Sequence, residues 1–160
     1  MFFDQAGEHN TDKTLELAIK KAKELDIKHI VVASNSGDTV KKLLPYKNDF
    51  NLVCVTHHVG FKEPGSDEMD SNTREFLQAE GVKILTTTHV LAGVDRAVRN
   101  HFGGVYPAEI MAQTLRIFGQ GIKVAVEISV MALDAGLIPY GEEVIAIAGK
   151  NEKLYNRSRF

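Results

Sequence analysis

Two hydrophobic periods take turns along this chain, one of continuous β-branched runs and one of apolar positions spaced three and four apart. Ile30, Val31 and Val32 form the first clear run, the pattern of a strand buried on both faces of a parallel sheet. It breaks at Ser34 into the small polar loop Ser34-Asn-Ser-Gly-Asp-Thr39. A helix is expected over 38–44, stopped by Pro45. Asn51-Leu-Val-Cys-Val-Thr56 reads as a second buried strand, 82–85 as a third, and Glu143-Val-Ile-Ala-Ile-Ala-Gly149 as the last. Ahead of them, Leu15, Ile19, Ala22 and Leu25 recur at helical spacing, with Asn10 or Thr11 able to cap that helix. Further helices are expected over 71–80 with Gly81 as its stop, around Leu91, Val94 and Val98, and from Pro107 to 118. Phe2 and Phe3 read as a short first strand.

The stretch from Ile122 to Ala135 carries both periods. Its β-branched alternation suits a strand, whereas Val124, Ile128, Met131 and Ala135 fit a helix that Gly136 would end, and its length favours a buried helix. Strands alternating with helices predict parallel crossovers, so every strand should deliver its C-terminal end to one edge of the sheet, where ligands bind in such folds. The expected fold is therefore three-layer α/β/α with a mostly parallel sheet, one domain over residues 1–149 and a frayed tail over 150–160.

Four segments bring chemistry to that edge. In the loop after the first strand, Ser36 can cap the next helix, Gly37 lets a ligand approach the backbone, and Asp38 and Thr39 fill the first turn. Outward amides, a helix dipole and the Ser34, Ser36 and Thr39 hydroxyls together suit a phosphate. The other reading is an ordinary capped turn, and the Asp38 carboxylate is the objection to the phosphate. After the second strand comes a long loop, 57–70, with His57, His58 and Phe61. Adjacent histidines in extended chain point apart, so hydrogen bonding to a ligand or simple loop packing is expected there rather than a metal, with Phe61 able to supply an aromatic wall. Thr86-Thr-Thr-His89 follows the third strand in the same manner. Glu127, set among apolar neighbours, needs a partner or a raised pKa, and reads as either a site residue or a structural anchor.

Composition narrows the partners. In 160 residues, 44% apolar, 19 basic and 21 acidic side chains nearly cancel, which excludes a general nucleic-acid or membrane surface. Arg96 and Arg99 form a local basic feature that either meets an acidic ligand or makes surface ion pairs. Cys54 is the single cysteine and lies in an apolar run, so it reads as a small core residue in a chain suited to a reducing cytoplasm. No window has the length of a membrane span, and a homo-oligomer stays open.

The succession Ile30-Val-Val-Ala-Ser-Asn-Ser-Gly-Asp-Thr39, Val53-Cys-Val-Thr56, Gly104-Val-Tyr-Pro107, Ala135-Gly-Leu-Ile138, Gly141 and Val144-Ile-Ala-Ile-Ala-Gly149 resembles the effector-binding C-terminal domain of pyruvate kinase. A closer likeness is to stand-alone proteins related to that domain, carried by Glu8-His-Asn-Thr11, Thr56-His-His-Val-Gly-Phe61, Leu115-Arg-Ile-Phe-Gly-Gln-Gly121, Lys123-Val-Ala-Val-Glu-Ile128 and Met131-Ala-Leu-Asp-Ala-Gly136. The resemblance implies that 122–135 is a helix. It also implies flavin mononucleotide (FMN) as a ligand, with phosphate at Ser34, Ser36, Gly37 and Thr39 and the ring or ribityl side along Thr56, His57, Gly60 and Phe61. Glu127 or His57 would then tune the flavin of an oxidoreductase. It does not imply pyruvate kinase activity, which belongs to a different domain of that enzyme. The alternatives are a non-catalytic sensor of a phosphorylated metabolite and, last, a hydrolase using His57 or His89 with Glu127. Residues 150–160 depart from the relatives' usual further turn and strand, which would leave a sheet edge open.

Overall fold

A computed structural model describes residues 3–5 and 7–149 of the chain. Its strands are β1 (His29–Ala33), β2 (Asn51–Val55), β3 (Lys83–Leu85) and β4 (Val144–Ile147). The helices are α1 (Thr11–Glu24), α2 (Asp38–Lys41), α3 (Ser71–Ala79), α4 (Gly93–Phe102), α5 (Pro107–Arg116) and α6 (Gln120–Asp134). The sheet runs β3-β2-β1-β4, and all three pairings are parallel, so the expectation of a mostly parallel sheet is met in its strictest form. β1 to β3 step outward in one direction. The chain then returns through α4, α5 and α6 to lay β4 on the other side of β1, in register from His29 opposite Val144.

Alternate residues of one strand feed two separate cores, as strands covered on both faces require. Ile30, Val32, Leu52 and Cys54 face Leu15, Ile19 and Ala22 of α1, Val40 of α2 and Leu77 of α3. Val31, Val53 and Val55 face Ile128, Met131 and Ala132 of α6. The ambiguous 122–135 stretch is thus helical. Its β-branched residues are tolerated because tertiary burial outweighs their modest helix cost.

Several boundaries differ from expectation for local reasons. Phe3 belongs to no strand and is exposed, while Phe2 lies outside the described residues. Asn10 does not cap α1 with its side chain, because a 3-10 turn at Glu8–Asn10 leads straight into the helix and the Asn10 amide donates to the Gln5 carbonyl at 2.6 Å. α2 is a single turn of four residues, and Pro45 sits inside a separate 3-10 turn, Leu44–Tyr46. Leu91 precedes α4, α5 ends at Arg116, and β4 is four residues long. Residues 150–160, expected as a frayed tail, lie outside the described residues. No described helix is long and apolar enough to cross a membrane.

Candidate functional site

All four strands end on one edge, and the chemistry-bearing loops meet there. Asn35 joins two of them: its Oδ1 accepts from the His57 amide at 3.0 Å, and its Nδ2 approaches His57 Nε2 at 3.3 Å. The amide can only donate in that second contact, so Nε2 is the acceptor and Nδ1 carries the proton. That Nδ1–H donates to Glu68 Oε1 at 2.5 Å, and Glu68 is also held by Lys62. His57 is therefore a neutral imidazole aligned by a carboxylate. Burial pushes its pKa below the ordinary value, and the hydrogen bond and charge of Glu68 offset only part of that. Burial pushes Glu68 up, but the hydrogen bonds and charges of Lys62 and His57 outweigh it and leave the carboxyl below its usual range.

Phe61 stacks on His57 with centroids 3.6 Å apart and planes 21° apart. His89, from the loop after β3, closes to 5.5 Å from His57 and 5.9 Å from Phe61. His58 joins the same group, 5.5 Å from Phe61 and 5.7 Å from His89. His57 and His58 each border Phe61 and His89. Among the described residues, no three His, Cys, Asp or Glu side chains are placed to hold a metal ion. The loop 57–70 is a built feature, with the Gly60 amide donating to the Ser66 carbonyl at 2.8 Å and Met69 buried in the core at its far end.

The other expected site residues do more internal work than was foreseen. Thr56 is 2% exposed, and its hydroxyl lies 2.7 Å from that of Thr86, pinning the end of β2 to the end of β3. Arg74 donates to the Thr86 hydroxyl at 3.0 Å while paired with Asp67 at 2.6 Å. Ser34 and Ser36 both serve the first turn of α2: the Ser34 hydroxyl accepts from the Thr39 amide at 3.2 Å, and the Ser36 hydroxyl from the Asp38 amide at 3.4 Å. Gly37 occupies the residue position just before α2, and the Ser36 hydroxyl also donates to the Asp38 carboxylate at 2.6 Å. Gly37 itself is buried, with φ at 90°, and a Cβ there would meet Thr73 Cγ2 at 2.8 Å. Its glycine is required by the approach of α3 as well as by the left-handed backbone. Among the described residues the amides of Asn35, Ser36 and Gly37 make no hydrogen bond, so they are the donors this loop offers.

Glu127 is 3% exposed, and both of its oxygens are engaged: Oε2 by Lys123, and Oε1 by the Leu91 amide at 2.9 Å. Of the two readings of this residue, the anchor is the one whose contacts are visible, because it ties the loop after β3 to α6. Burial pulls Lys123 below its ordinary pKa, with Glu127 resisting, and burial likewise lowers His89, on which the Glu127 charge acts in the opposite sense. His57 pairs with Glu68, so the proposed pairing of His57 with Glu127 is not made. Arg99 is bound to Glu109 at 2.7 Å in a surface ion pair. Burial raises the Cys54 thiol to about 12, with Arg74 acting in the opposite sense, which makes it inert. An open cavity of about 550 Å³ lies beyond His89, with Thr87, Thr88, Asp95 and Asp134 among its lining.

Asn35, Lys62, Glu68 and Arg74 were not singled out from the sequence. Asn35 and Glu68 lie in plain view within the two polar loops, yet Asn35 meets a partner 22 residues away through the parallel register of β1 and β2, and Glu68 meets one 11 residues away only because loop 57–70 folds back on itself.

A parallel sheet covered on both faces, with a histidine-rich polar cluster built at the carboxyl ends of its strands, defines an α/β domain of the open-sheet class. The family model for the pyruvate kinase alpha/beta domain matches residues 12–156, and the chain belongs to that family.

Proposed function

We propose that the C-terminal edge of this sheet binds a small phosphorylated ligand, FMN being the one its chemistry suits best. The observation that carries the reading is the stack of Phe61 on a neutral, oriented His57, with His89 beside it and the Ser36–Gly37 amides one loop away through Asn35. A flat ring fits that aromatic group, because its faces offer dispersion contact and its polar edge finds imidazole and hydroxyl partners. The phosphate end fits by amides alone. α2 is too short to contribute much dipole, and the Ser34 and Ser36 hydroxyls already serve their own loop. A bound flavin would supply hydride or one-electron chemistry. The residues of this chain would hold the ring and keep a neutral imidazole against it, with Glu68 fixing the tautomer.

The second reading is a sensor of a phosphorylated metabolite without catalysis. It is favoured by the mutual engagement of the polar groups: His57 on Glu68, Thr56 on Thr86, and Glu127 on Lys123. These contacts leave no activated nucleophile among the described residues.

Titrating the protein with FMN and with riboflavin, read by quenching of flavin fluorescence, separates these. FMN should bind about tenfold or more tightly than riboflavin, a difference of about 1.4 kcal/mol for phosphate contacts. Ser36→Asp should erase that preference, and Phe61→Ala should weaken both ligands. Equal binding of the two flavins would remove the loop from the phosphate role. Binding of neither would leave the sensor reading, to be tested with sugar phosphates.

A further inference from the structure

α6 is built inside out for a surface helix. Its only charged side chains between Gln120 and Leu133 are Lys123 and Glu127, and both are buried against the domain. Its outward side carries Ile122, Val126 and Val130, exposed by 49, 41 and 40%. A helix apolar on every side is normally covered on every side. Ile117 and Phe118, at the turn leading into α6, are 79% and 73% exposed, and Ile110 on the adjoining α5 is 56% exposed. Among the described residues, ten of the sixteen exposed large apolar side chains fall between Val94 and Val130.

We infer that this face is the interface of a two-fold dimer, its occupant a second copy of the same chain packed α6 against α6. Two features select that partner. The first is area: at exposures of 40–79% the seven exposed apolar side chains of α5, α6 and the turn between them present on the order of 700 Å² before any polar rim is counted, against about 800 Å² per partner in a standard stable interface. The second is symmetry. The stripe at 122, 126 and 130 is spaced evenly about Val126, so antiparallel helices set Ile122 of each copy opposite Val130 of the other with Val126 on the axis. Ala125 and Ser129 on the same helix are small enough to let the backbones approach.

The test is the mass of the full chain in solution by light scattering after size exclusion, followed by two variants. The expected mass is twice 17.7 kDa. Val126→Lys places two like charges on the axis and should weaken association by about 100-fold or more while the circular dichroism spectrum stays unchanged. Val126→Cys should be captured as a covalent dimer by a short bismaleimide, Cys54 being buried, whereas Phe76→Cys on the opposite layer should not. If Val126→Lys failed to fold, that capture would decide alone. A monomer at about 100 μM overturns the inference. So does a dimer that survives Val126→Lys and gives no cross-link at 126.

Discussion

A single methyl group tests the tightest point of the phosphate-loop region. Gly37→Ala must accept φ near 90° and a Cβ 2.8 Å from Thr73 Cγ2 and 3.1 Å from Leu77 Cδ1. The expected loss is about 1–3 kcal/mol in a urea melt, from backbone strain and local overpacking. Thr73→Ser in the same chain removes the nearest contact and should recover part of it, leaving the backbone share. This bears on what sequence could show at residue scale. Gly37 was read as an opening for a ligand, yet the space beside it is filled by α3. A glycine before a helix looks the same whether a ligand or a neighbouring helix crowds it. The sharing of the capping role between Ser34 and Ser36 is illegible for a related reason: both hydroxyls are within reach of the first turn, and each takes a different amide of it.

At the scale of elements, periodicity located the strands and most helices because burial on two faces leaves long apolar runs. It misplaced boundaries where a helix gives way to a 3-10 turn, as after α2. Residue pattern alone left α6 open, since a helix with charges inside and β-branched residues outside imitates a strand. Its buried pair makes a sharp prediction. Glu127→Gln keeps an acceptor for the Leu91 amide but leaves the Lys123 ammonium without its counter-charge, which should cost about 3 kcal/mol or more by denaturant unfolding. The double replacement Lys123→Met with Glu127→Leu removes the charge problem entirely. It should lie within about 1 kcal/mol of wild type, apart from what the Leu91 amide loses. A large loss in the double variant would mean that the contact to Leu91, rather than the ion pair, is what the helix contributes to the loop after β3.

For the whole molecule, the cluster at the sheet edge couples stability to pH. His57 and His89 both have pKa values held below the ordinary 6.5, because the folded protein buries them neutral. The unfolded chain therefore takes up protons first as pH falls below about 6.5, and stability present above that value is lost on the way down to the folded pKa values. Glu68 adds a loss of the same sign beginning near 4.5, since its carboxylate is stabilised in the fold by Lys62 and His57. Above pH 7 none of the three contributes a slope. The expected result is a difference between wild type and His57→Gln that is flat from pH 7 to 9 and shrinks in favour of the variant as pH drops through 6, read as urea midpoints across the series. Glutamine retains an N–H for Glu68 and cannot titrate, so the shrinking difference reports the proton and not the lost contact. A difference constant across that range would place His57 in a solvated setting and remove the buried, neutral imidazole on which the ring-binding proposal depends.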